Sequence, residues 1–215
     1  AQAILAQACV GSSPPVANHW ATAASCSMGG PATIDGREVE HTDNFFVAPF
    51  MLDGLEWPSC EHCFQALKFL GDQSSEATAI VEAIRTAVSG QAAWSMAQKH
   101  AELLRPDWEH VKVHAMYRAV AAKYAQYPDF ARELADSVGP IETSISTADW
   151  QRMNRLILER VREELRPASR QHKKRLAALV ALTEPRLQGE AALQELRAAV
   201  RPRAPQAGAA TSPHP

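Results

Sequence analysis

The chain has 215 residues, 46% of them hydrophobic and 21% charged, with a formal net charge of −2. This composition suits one compact domain with its own core plus appendages, and the near-neutral charge argues against whole-molecule attraction to nucleic acid or an anionic membrane. No apolar run approaches the roughly 20 residues that span a bilayer, so a soluble protein with no membrane span is expected.

Residues 1–34 read as a low-complexity head, rich in Ala, Ser and Gly and poor in acids, in which only Gln2–Val10 suggests a short helix. The chain starts at Ala1 rather than Met, which leads us to expect missing upstream sequence, a removed targeting segment among the candidates. An organelle (mitochondrion or plastid) and the cytoplasm both stay open as compartments.

Phe45–Leu52 reads as a β-strand, with Pro49 placing it at an edge or a bulge. Asp53-Gly54 is a two-residue hairpin signal, and Leu55-Glu56-Trp57 returns as the partner strand. Ser59 is the expected N-cap of a helix running to about Leu70. Helices are then expected over Ser75–Val88 and Gly90–Leu103. Another follows Asp107 as N-cap, with Val111, Ala115, Ala119 and Ala122 along one face. Pro128 opens a short helix ending near Gly139, and Pro140–Ser144 is expected to be extended.

Trp150, Met153, Ile157, Val161 and Leu165 recur at intervals of three and four, an apolar stripe on a helix that Pro167 ends. Two further helical patterns, Ser169–Leu182 and Pro185–Val200, suggest an added C-terminal hairpin over residues 167–200, and residues 201–215 form a Pro- and Ala-rich tail. The basic group Arg166, Arg170, His172, Lys173, Lys174 and Arg175 is read as a solvated helix face.

Cys60 and Cys63 make a C-x-x-C, a spacing shared by redox pairs and zinc half-sites. His62 lies between them, but no second pair follows to complete a four-ligand site. The pattern is read as two small residues packed near a helix start, with no metal and no cofactor expected.

The run Leu52-Asp53-Gly54-Leu55-Glu56-Trp57-Pro58-Ser59-Cys60-Glu61-His62-Cys63-Phe64-Gln65-Ala66-Leu67-Lys68-Phe69 resembles the signature of the NADAR family. The likeness continues in order through Asn44-Phe45, Arg105–Lys112 with Trp108, Met116 to Tyr124, Ile141-Glu142, and Asn154-Arg155-Leu156 with Arg162–Leu165. It implies a NADAR-like domain over residues 35–166, an α+β, mostly helical fold with a small antiparallel β element packed on several helices.

By the same resemblance the domain would cleave N-glycosidic bonds, family members acting on phosphoribosylamine intermediates of riboflavin synthesis or removing ADP-ribose from guanine bases. The matching catalytic positions are Glu61, Lys68 and Trp108. Those matching substrate-binding positions are Asn44, Trp57, Gln65, Trp150 and Asn154. Breaking a C–N bond at an anomeric carbon leaves positive charge on the sugar, which a nearby carboxylate stabilises. Lys68, two helical turns beyond Glu61, shares its face as a sugar-contacting or covalent amine.

Three departures from the family pattern argue against catalysis. Thr147 stands where an acid is expected, and a hydroxyl cannot carry the charge a cationic transition state needs. Only three residues separate Trp150 from Asn154, where the family has a glycine-rich loop suited to phosphate, so Thr147 reads as the N-cap of a helix starting at Ala148. The aromatic pair expected before the first strand is absent, and Ala97-Gln98 replaces a Gly-Arg pair. The sequence therefore favours a domain with an eroded pocket, a binding module or accessory subunit that works with protein partners in a larger assembly. The alternative is an active N-glycosidase on an ADP-ribose-like or phosphoribosylamine ligand.

Overall fold

The computed structural model describes residues 30–71, 74–143 and 146–185. The chain is α+β and mostly helical, with small antiparallel sheets packed on helices. Strands β1 (Ala32–Ile34) and β2 (Arg37–Val39) are joined by Asp35-Gly36, at φ 52° and 77°. Strands β3 (Phe50–Leu52) and β4 (Leu55–Trp57) are joined by Asp53-Gly54, at φ 54° and 78°. Both turns need left-handed backbone at two successive positions, which Asp and Gly accept. Strand β5 (Ile141–Glu142) pairs antiparallel with the other edge of β1, giving the order β2-β1-β5.

The strand expected over residues 45–52 is reduced to β3, because residues 43–46 bend and Pro49 has no N–H to give a ladder. Conversely, β1 falls inside the segment read as a low-complexity head. Its three residues bury Ala32 and Ile34, too short a run for alternation to stand out in sequence.

Helix α1 (Cys60–Leu67) is buried along its whole length and packs against α2 (Ser75–Arg85), α3 (Gly90–Gln98) and α4 (Trp108–Gln126). The starts of α1 to α3 share one device: Ser59, Ser74 and Ser89 each accept a first-turn N–H, from His62, Ala77 and Ala92. The helix expected to reach Leu103 stops at Gln98, and Ala101–Leu103 is a 3-10 turn. Asp107 precedes α4 as expected, but its carboxylate binds the Arg105 guanidinium at 2.5 and 2.8 Å instead of capping the helix.

Helix α5 (Pro128–Asp136) opens on its proline, and α6 (Ala148–Leu165) packs against α4, α5 and α7 (Lys173–Thr183). Thr147 precedes α6 at the expected place, yet its side chain makes no capping bond. Most of the basic group is a solvated face, with Arg170, His172, Lys173, Lys174 and Arg175 exposed. Arg166 departs from that expectation: it is largely buried, pairs with fully buried Glu163 and donates to the Ala135 and Ser137 carbonyls. The suggested helix at Gln2–Val10, residues 186–200 of the second helix of the hairpin, and the tail lie outside the described residues. Among the described residues no helix is long and apolar enough to cross a membrane.

Candidate active site

Helix α1 carries Glu, His and Gln through the middle of the core, so each polar group there must find a partner or carry the cost of lacking one. Its first turn is fixed from outside. The N–H of Glu61 donates to the Asn44 carbonyl at 2.9 Å. The side chain of Asn44 reaches Asn154 on α6 at 3.3 Å, joining the bend after β2 to the helix that replaces the expected loop.

Glu61 is 0% exposed. Gln65, one turn on, donates Nε2 to Glu61 Oε1 at 2.6 Å. Glu61 Oε2 and Gln65 Oε1 are both buried without a hydrogen-bond partner. Burial pushes the Glu61 carboxyl up to about 7, against the opposing hydrogen bond from Gln65 and the charge of Lys68, while Asp43 adds to the rise.

Lys68 caps the end of α1 and is 7% exposed. Its ammonium lies 5.6 Å from the centroid of the Phe64 ring and 5.8 Å from that of Trp108, with no hydrogen bond among the described residues. Burial brings its amine down to about 8, with Glu61 and Glu109 opposing the fall and Lys112 assisting it. The aromatic wall is continuous: Phe64 packs on Trp108 at 5.0 Å and meets Trp150 edge-on at 5.1 Å.

Glu61, Gln65 and Lys68 thus lie on one buried helix, with Trp108 and Trp150 around Phe64, and Asn44 and Asn154 bonded to each other. Trp57 is placed differently. It is a core residue whose indole N–H is spent on the Leu52 carbonyl at 3.2 Å, within its own hairpin.

Three neighbours of Glu61 are not among the residues that the sequence singles out for the site. Asp43 carries its carboxylate nearby, itself raised by burial. Gly90 opens α3 so tightly that a Cβ there would sit 3.3 Å from Glu61 Cβ and 2.7 Å from the Phe45 ring. His62, which the sequence presents only as a possible metal ligand, is 1% exposed. Its Nδ1 meets Ser59 Oγ at 2.8 Å and its Nε2 meets the Ala87 carbonyl at 3.2 Å. The one sequence signal for His62 is its adjacency to Glu61 within the signature; Gly90 carries no local signal at all.

The thiols of Cys60 and Cys63 are free, buried and pushed up by burial, the condition of packed rather than reactive cysteines. Among the described residues no three His, Cys, Asp or Glu side chains converge as a metal would require. A protonatable carboxyl with an unspent oxygen, and an amine of lowered affinity for protons beside two aromatic faces, are groups suited to proton transfer.

A model of the NADAR domain matches residues 24–150. The chain is 35% identical over 101 residues to the chloroplastic riboflavin biosynthesis protein PYRR of Zea mays, a stretch that is 45% of this chain and 16% of that protein. It is 34% identical over 110 residues to the N-glycosidase YbiA of Escherichia coli strain K12, which is 50% of this chain and 64% of that protein. It therefore spans less than two thirds of either relative. The NMR structure of E. coli YbiA aligns at 29% identity and a TM-score of 0.47, over 58% of this chain and 77% of that one.

Proposed function

The chain belongs to the NADAR domain family, and on that premise we propose that Glu61, Gln65 and Lys68 form an N-glycosidase site acting on an N-linked ribose derivative. The observation that carries the reading is the pair of unpartnered oxygens, Glu61 Oε2 and Gln65 Oε1, in a fully buried place. Buried polar atoms left unpaired cost about 1–3 kcal/mol each unless a ligand satisfies them. A sugar hydroxyl, both donor and acceptor, can serve Gln65 Oε1 and can serve Glu61 Oε2 in either protonation state.

In this reading Glu61 supplies the proton that the leaving nitrogen takes when its bond to the anomeric carbon breaks. Water then adds its hydroxyl to that carbon and returns a proton to Glu61, so the products are a free sugar and an amine. Lys68, partly neutral near pH 8, contacts or captures the same carbon. Trp108 and Trp150 frame the site through Phe64. The names of the relatives, an N-glycosidase and a riboflavin biosynthesis protein, support cleavage of an N-glycosidic bond, and the resemblance around Glu61 suggests a ribosylamine phosphate or ADP-ribose-like substrate.

A second reading, a non-catalytic binding module that serves protein partners in a larger assembly, has its own support. Glu61 is closed to solvent, Trp150 is seated on Phe64, and uncharged Thr147 stands at the start of α6.

The test is calorimetric titration with ADP-ribose alongside a release assay for free sugar from ribosylamine phosphates and ADP-ribosylated guanine. Saturable binding with release, lost in Glu61→Gln, is the expected result. Binding without release supports the second reading, and neither binding nor release overturns the first.

A further inference from the structure

We infer that His62 is a positioning residue for Glu61: by holding the Ala87 carbonyl it fixes the turn ahead of α3, so that Gly90 walls the Glu61 side chain from water. The inference rests on Glu61 being the reacting carboxylate, but its test needs no turnover.

The chain of contacts is short. A carbonyl can only accept, so the 3.2 Å contact to Ala87 requires the hydrogen on Nε2 of His62. Nδ1 is then an acceptor, and Ser59 Oγ donates to it at 2.8 Å. Burial lowers the proton affinity of His62 and keeps this neutral tautomer. Past Ala87, which packs against the core and donates its N–H to the Ile84 carbonyl, the turn faces outward, with Ser89 exposed and Val88 97% exposed. Through the His62–Ala87 hydrogen bond this turn is joined to α1. Three residues past Ala87, Gly90 enters α3 with room for no side chain between it and both Phe45 and Glu61. His62 and Glu61 are adjacent on α1, so one helical turn both presents the carboxylate and fixes the lid of its enclosure.

The charged groups facing Glu61 are Lys68 on its own helix and Asp43 from the bend after β2, and neither is touched by changing His62. Burial is the main reason the Glu61 carboxyl is raised, so admitting water must bring it down.

Carbon-13 NMR of protein labelled at glutamate carboxyls, with Glu61 assigned through Glu61→Gln, reads this directly. His62→Asn keeps a group near Ser59 but cannot reach Ala87, whereas His62→Gln places an N–H where Nε2 was. We expect the apparent pKa of Glu61 to fall by about one unit or more in the Asn variant and to stay at the wild-type value in the Gln variant. Equal values in wild type and Asn would overturn the inference, and so would equal falls in Asn and Gln. Should the Asn variant not fold, Gly90→Ala moves the wall with the tether intact. A shifted Glu61 titration is then expected, and an unshifted one sinks the proposal. Absence of turnover in the wild type would remove the glycosidase reading while leaving these titrations interpretable.

Discussion

Gln65 holds Glu61 Oε1 at 2.6 Å from one turn along the same buried helix, and so leaves Oε2 of the carboxylate with no partner. A half-satisfied carboxyl inside the core is a standing cost to stability, and that cost grows as pH rises. The folded value of about 7 lies above the ordinary 4.5, so between those values the folded chain binds the extra proton and stability falls as pH rises.

Glu61→Gln removes that titration. The variant should gain stability over wild type as pH rises from about 5 to 7 and hold about 3 kcal/mol of advantage above it, while losing sugar release. Urea melts of both proteins across that range check the claim. A variant less stable than wild type at pH 8 would contradict it.

Sugar release should follow a bell in pH with its maximum midway between the Glu61 value of about 7 and the Lys68 value of about 8. One proton shared between the two groups defines the active form. Lys68→Met should abolish the activity and raise the Glu61 titration above about 7, because the Lys68 charge now holds it down. The carboxyl resonance of Glu61 in the variant is the measurement.

Arg160 on α6 binds Glu164 and Thr183 at 2.8 Å each, pairs with Glu184 at 2.8 Å, and lies 3.5 Å over the Tyr117 ring. It fastens the α7 end to α4 and α6, alongside His114, which stands 3.4 Å from Glu184. Arg160→Met leaves Glu164 only its bonds from Tyr117 and Glu184 only its contact with His114, both carboxylates being about a third exposed, and should cost about 1–2 kcal/mol. Hydrogen exchange should speed up over residues 173–183 first, ahead of α1; uniform acceleration would refute the local role.

Gly54 sits at φ 78°, and a methyl group added there would meet no atom within 4 Å, so Gly54→Ala tests backbone strain alone. A loss of about 1 kcal/mol is expected from thermal or denaturant melts, with the Glu61 titration unchanged. No loss would mean the turn relaxes freely.

What the sequence by itself determined is local. Ser59 as cap, Asp53-Gly54 as turn and Pro128 as helix start each depend on chemistry within four residues, and the signature around Glu61 needs no fold to be read. Helix α6 does start at Ala148, but without the Thr147 cap on which the sequence reading of that start rests. Residues 32–39 stay hidden although Asp35-Gly36 is the same turn signal, because strands of three residues give alternation too little length. What only the tertiary structure decided is the state of the site. The burial of Glu61, its orphaned oxygen, the drop at Lys68, the seat of Trp150 on Phe64 and the wall at Gly90 come from groups brought together by α3, α4, α6 and the bend after β2. Desolvation is a sum over every neighbour in space, and spacing along one helix carries none of that sum.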